Sequence, residues 1–121
     1  MVLLIILLIL LDQVTKYFLT NIINYGAAFG ILQNQTLFLI IVSLIVLGFC
    51  IYYFIKYKNK NQRIALSLII AGTASNLIDR IFLGYVRDFI NLQIWPVFNL
   101  ADSYNVIGVG LLIYFIIKKN Q

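Results

Sequence analysis

Ile64-Ala-Leu-Ser-Leu-Ile-Ile-Ala-Gly-Thr-Ala-Ser-Asn-Leu-Ile-Asp-Arg-Ile-Phe-Leu83 is twenty residues long and changes character halfway. Its first half is mostly apolar, with only Ser67 and Thr73 as polar residues. Its second half carries Asn76, Asp79 and Arg80 among small residues. About 20 apolar residues are needed to cross a bilayer as a helix, so the stretch reads as a span that turns polar at one end. Small residues such as Gly72, Ala74 and Ser75 permit close helix contact inside a membrane. An Asn, an Asp and an Arg within five positions of such a helix are hard to explain as packing, and ionisable residues at membrane depth are functional candidates by default.

Three more segments approach the same length: roughly 2–20, 36–57 and 98–117. The whole chain has 121 residues, is 63% hydrophobic and only 11% charged, and has a mean hydropathy of +1.00. A soluble domain of this size carries roughly twice that charge. Four spans use most of the chain, so the expected fold is all-α: residues 1–121 form a single four-helix transmembrane domain with short extracytoplasmic connections. The first segment lacks a basic leader and a small-residue cleavage site, and it contains Asp12 and Lys16; it reads as a retained anchor.

Basic residues set the orientation. Lys56, Lys58, Lys60 and Arg63 read as the loop between the second and third helices, and Lys118 and Lys119 close the chain. With four spans this loop and both termini share a side, which the positive-inside rule makes the cytoplasm. The net charge of +5 is therefore mostly a topology signal, and no nucleic-acid partner is expected. The chain has no His and a single Cys, Cys50. Metal sites of the His/Cys kind, a Ser–His or Cys–His nucleophile and an internal disulfide are thus excluded. No metal and no cofactor are expected.

The acidic residues are four in number, all Asp: Asp12, Asp79, Asp88 and Asp102. Asp12 and Lys16 are four apart on one helical face and read as an ion pair that is structural or adjacent to a site. Asn76 and Arg80 share a face, and Asn99 and Asp102 share another in the first turns of the fourth helix. The second helix reads as apolar throughout, with packing as its only role. Topology then brings Asp88, Asp102, Asn76, Asn99 and Arg80 together in the outer third of the bilayer. Two carboxyls that share one proton are the machinery of an aspartic-type hydrolase. The position of Asp102 near a helix N-terminus favours its anion, which leaves Asp88 as the expected proton holder.

Five fragments carry a resemblance. They are Asp12-Gln-Val-Thr-Lys16, Asn24-Tyr-Gly-Ala-Ala-Phe29, Asn76-Leu-Ile-Asp79-Arg80, Gly84-Tyr-Val-Arg-Asp88-Phe89 and Pro96-Val-Phe-Asn99-Leu-Ala-Asp102. In order and topology the chain resembles the lipoprotein signal peptidases, or signal peptidase II. The resemblance implies an intramembrane aspartic endopeptidase of the bacterial cytoplasmic (inner) membrane. Its substrate would be a diacylglyceryl-modified prolipoprotein with a lipobox signal peptide, cut before the lipidated cysteine, with membrane lipid as the other partner and no oligomer required. Asp88 and Asp102 match the catalytic pair. Asn76, Arg80 and Asn99 match residues that order the pair and hold substrate backbone, and Asn24 matches a supporting polar residue. Asp12 and Lys16 match a structural or site-adjacent pair; Asp79 matches the motif without a catalytic role. The Lys16-to-Asn24 connection is much shorter than the family's, which often places an extracytoplasmic strand cradle there. The Asp88-to-Asp102 stretch is also somewhat short, and Ser75 stands where the family usually has Gly. The competing reading is a small four-helix proton-coupled multidrug exporter that uses Asp12.

Overall fold

A computed structural model describes residues 1–120. In chain order it contains helix α1 (Val2–Leu19), strand β1 (Ile22–Asn24), a 3-10 turn (Ala28–Gly30), α2 (Thr36–Lys56), α3 (Lys60–Leu83), β2 (Val86–Asp88) and α4 (Leu100–Lys119). All four α-helices are long and apolar enough to cross a membrane. Met1 packs beside Phe54 and Leu66, and Lys118 and Lys119 line a cavity with Asn59 and Gln62. Met1 and the last turn of α4 therefore lie at the α2–α3 turn, as the up-down reading expects.

That turn is shorter than the sequence suggested. Only Tyr57–Asn59 separate α2 from α3, so Lys60 and Arg63 are helical rather than looped. The cause is Asn59. Its side chain accepts hydrogen bonds from the backbone N–H of Asn61 and Gln62, satisfying donors that a helix start leaves unpaired. At the other end, Gly84 adopts φ +81 and its N–H closes on Arg80 O, a left-handed stop that costs glycine little.

α3 is the central helix. It packs on α4, α2 and α1, whereas α2 packs on α3 rather than on α4. Small residues set the α3–α4 approach. A Cβ on Gly72 would lie 2.5 Å from Ala101 O, and one on Gly108 would lie 2.9 Å from Ala65 O. Ala65 and Gly72 on α3 thus face Gly108 and Ala101 on α4, seven residues apart on each helix, as in close-packed membrane helices.

The polarity of the interior is inverted relative to a soluble protein. Large apolar side chains on α1, α2 and α4, among them Leu3, Leu7, Leu37, Phe49 and Ile113, are exposed, as expected where lipid is the solvent. The largest fully buried side chains are mainly polar: Lys16, Asn99, Asp12, Asp79, Asp88 and Asp102.

The short connections hold a strand ribbon. β1 and β2 pair antiparallel with Ile22 opposite Asp88, Ile23 opposite Arg87 and Asn24 opposite Val86. Beyond them Phe98 O accepts from Phe89 N and Ile90 N at 3.0 and 2.8 Å. Even the abbreviated Lys16-to-Asn24 connection therefore supplies a strand. Three residues suffice because the partner strand begins only two residues after Gly84, at Val86. Pro96 lies in the loop before α4, which is capped by Asn99.

Candidate active site

The α4 N-terminus organises the site. Asn99 and Asp102 form a reciprocal capping box: Asn99 Oδ1 accepts from Asp102 N at 2.8 Å, and Asp102 Oδ2 accepts from Asn99 N at 3.1 Å. This pairs two backbone donors that would otherwise be left bare. The Asn-x-x-Asp spacing that puts Asn99 and Asp102 on one face is also the spacing of a capping box.

Asn99 also joins the two carboxyls. Its Nδ2 lies 3.0 Å from Asp88 Oδ1, 3.1 Å from Asn76 Oδ1 and 3.2 Å from Arg87 O. Asn76 in turn donates to Asp102 Oδ1 at 3.0 Å. Asp88 comes from β2, Asp102 from α4 and Asn76 from α3, so three elements meet on one fully buried asparagine.

Lys16 supplies the positive charge beneath them. Its Nζ lies 2.7 Å from Asp12 Oδ2, 2.9 Å from Asn76 Oδ1 and 3.4 Å from Asp79 Oδ2. An unpaired ammonium at such depth would be very costly, and three oxygens compensate it. Asp12 is fully engaged: it accepts from Lys16, from Ser75 Oγ at 2.5 Å and, through Oδ1, from Ala101 N at 2.9 Å. Ser75 in the place of the family's usual glycine thus gains a partner on α1. Asp79 binds Arg87 Nη2 at 2.9 Å and Gln13 Nε2 at 3.1 Å, and it holds the strand that carries Asp88. Gln13, Ser75 and Arg87 were not foreseen as part of this network.

Arg80 reaches away from it. Nη2 donates to Gly26 O at 3.2 Å, and Nε is buried without a partner. Asn24 shapes the loop that Arg80 touches, accepting from Gly26 N and donating to Ala27 O, both at 2.8 Å. Within that loop Phe29 has φ +60, a left-handed conformation that is uncommon for a bulky residue. Its ring packs edge-on against Trp95 and Phe98.

Two cavities flank the pair. Asp88 and Asn24 line one of about 210 Å³ with Pro96 and Val97. Asp102, Asn76 and Arg80 line another of about 140 Å³ that reaches α2. Burial raises Asp88 to a pKa of about 7, and the charge of Asp102 adds to the rise; Asn24, Lys16 and Asn99 oppose it. A carboxyl poised near neutrality beside a second carboxyl, with a cavity on each side, can hold and release a proton at ordinary pH.

A family model described as Signal peptidase (SPase) II matches residues 4–118. The lipoprotein signal peptidase of Caldanaerobacter subterraneus subsp. tengcongensis is 47% identical over 110 residues, covering 88% of this chain and 76% of that protein. That of Streptococcus pyogenes serotype M5 is 38% identical, covering 99% and 94%. A solved bacterial membrane enzyme, determined by the in meso method at 2.3 Å resolution, superposes with a TM-score of 0.90 at 34% identity, over 99% of this chain and 88% of that one.

Proposed function

This chain belongs to the signal peptidase II family, and we propose that it is an intramembrane aspartic endopeptidase that removes the signal peptide from diacylglyceryl prolipoproteins, cutting before the lipidated cysteine. The supporting observation is the pairing of Asp88 and Asp102 through Asn99, with Asp88 held near neutrality.

In the resting site Asp88 holds the proton and Asp102 is the carboxylate. Donors from Asn76 Nδ2 and Asn99 N suit the anion of Asp102, as does the start of α4. Asp102 takes a proton from water as the oxygen adds to the scissile carbonyl carbon. Asp88 gives its proton to the carbonyl oxygen, and a tetrahedral diol forms. Collapse of the diol breaks the C–N bond. Asp102 delivers its proton to the leaving amine of the lipidated cysteine, and Asp88 recovers one from the diol hydroxyl. The products are a free signal peptide with a new carboxyl end and an N-terminal lipidated cysteine. Lys16, through Asn76, biases the site towards one negative charge. Asp79 and Asp12 hold the scaffold and take no proton in the reaction.

The basic end of the bundle faces the cytoplasm, and the ribbon end, with Trp95, faces the outer surface of the bacterial inner membrane. Substrate arrives sideways from lipid as a helix and unwinds only near the cut, because extended chain in hydrocarbon leaves its amides unpaired. The acyl chains stay in lipid, where each CH₂ contributes about 0.8 kcal/mol to anchoring. Use of Asp12 as an exporter's proton carrier is disfavoured, since Asp12 is fully buried and has partners on both oxygens.

The test is cleavage in lipid nanodiscs of a diacylglyceryl prolipoprotein and its unlipidated precursor. The lipidated form should be cut far faster, and Asp88→Asn or Asp102→Asn should abolish cutting while leaving the protein folded. Equal cutting of both forms would make this a general intramembrane protease. Full activity in either Asn variant would remove the aspartic mechanism.

A further inference from the structure

α2 is not the purely apolar packing helix that its sequence suggests. Ser43 is buried on it and lines the 140 Å³ cavity together with Thr73 and Arg80 of α3 and Asp102 and Asn105 of α4. The polar groups here are under-used. Asn105 Oδ1 accepts from Thr73 Oγ1 at 3.2 Å, but its NH₂ donates to no described residue. Ser43 brings a hydroxyl from α2 to the same space. Arg80, nine-tenths buried, has its Nε without a partner. Among the described residues Arg80 Nε is the buried donor at this cavity that lacks an acceptor, which is disfavoured at membrane depth, and Asn105 and Ser43 bring an amide and a hydroxyl from two further helices to the same space.

Their depth is informative. Asn105 lies three residues beyond Asp102 on α4, and Thr73 lies three before Asn76 on α3. At 1.5 Å per residue the step runs roughly 4.5 Å from the carboxyl pair towards the middle of the bundle. α2 packs mainly on α3, and the cavity is lined from both α2 and α4, so a chain arriving from lipid would reach it between these two helices.

We propose that Asn105 and Ser43, continuing from Arg80, form a main-chain binding step for the substrate residues just before the cut. The inference rests on the proposed peptidase function. A membrane helix must unwind to present one peptide bond to the carboxyl pair. Unwinding strips its carbonyls of their i+4 donors, and in hydrocarbon no water replaces them. A signal helix at this depth is apolar, so its polar atoms are main-chain ones. The guanidinium, amide and hydroxyl of the step are all donors that suit carbonyl oxygens. The step therefore lowers the cost of unwinding and is indifferent to side-chain identity. Asn105 and Ser43 are positioning residues: they touch substrate main chain, away from the reacting atoms.

The experiment compares two diacylglyceryl prolipoproteins in nanodiscs, one with an ordinary signal helix and one with two glycines placed just before the cleavage site to weaken that helix. Asn105→Leu and Ser43→Ala, on separate helices, should each raise KM for the ordinary substrate, with kcat/KM falling roughly tenfold. The loss should be threefold or less, in roughly the same units, for the glycine substrate, which is easier to unwind. Asn105→Gln, which keeps the donor, should stay near the parent. Equal losses on both substrates would mean a structural role and overturn the inference. A fall confined to kcat and equal for both substrates would instead mean that the cavity holds the hydrolytic water, which also overturns it. Failure of the parent enzyme to cut either lipidated substrate would strike the peptidase reading itself.

Discussion

Asn99 does two jobs that can be separated by substitution. Its Oδ1 caps α4 through Asp102 N, and its Nδ2 reaches Asp88, Asn76 and Arg87 O. Asn99→Ala removes both. Loss of a helix cap costs about 1 kcal/mol. Asp88 gains charge as it gives up its proton, and a hydrogen bond to a charged group is worth about 1.5–3 kcal/mol, so losing the Asn99 bond in the transition state should slow cleavage roughly 10- to 100-fold at about 1.4 kcal/mol per decade. Asn76 Oδ1 is not orphaned, because Lys16 still donates to it at 2.9 Å. Asn99→Ser separates the two jobs. Serine caps as well as asparagine, but its hydroxyl is too short to bridge to Asp88. The Ser variant should recover about 1 kcal/mol of stability over the Ala variant in detergent unfolding, yet cleave the lipidated prolipoprotein no faster. Recovery of near-parent cleavage by the Ser variant would refute the bridging role and leave Asn99 as a cap only.

The remaining expectations concern protons, packing and ion pairs. As the acid, Asp88 must be protonated, so kcat/KM should be retained below its pKa of about 7 and fall as pH rises through it; the profile reports the pair rather than one residue. Asn24 opposes the rise of that pKa, so Asn24→Ala should move the basic limb to higher pH, and an unmoved or lowered limb would contradict the assignment. Gly72→Ala places a Cβ 2.5 Å from Ala101 O and 2.7 Å from Asn105 Oδ1; it should cost about 1–3 kcal/mol by thermal unfolding, whereas Gly48→Ala, with nothing within 4 Å, should cost nothing. Asp79→Asn weakens the contacts to Arg87 and Lys16 and should lower stability by about 1.5–3 kcal/mol, with a smaller loss of cleavage than Asp88→Asn; a folded, inactive Asp79→Asn protein would give Asp79 a part in the chemistry.

The sequence by itself determined the solvent and the number of helices, and it singled out the candidate site residues. Helix count follows from the length of each apolar run against the thickness of hydrocarbon, a comparison that needs no tertiary contact. Candidacy follows because a carboxylate or amide at membrane depth is costly, so Asp88, Asp102, Asn76, Asn99 and Arg80 stand out against their neighbours. Tertiary structure alone decided who pairs with whom. Lys16 could have served Asp12 only, as its i,i+4 spacing suggests, yet it also meets Asn76 and Asp79 across the α1–α3 interface. Ser43 reads as a lone hydroxyl in a hydrophobic helix, and its burial beside Asn105 and Arg80 appears only once α2 is laid on α3. β1 and β2 are three residues each, too short for a strand pattern, and each exists because the other lies opposite it. Such pairings depend on distances between segments far apart in the chain. Local periodicity carries no information about those distances, whereas a buried hydrogen-bond network depends on all of them at once.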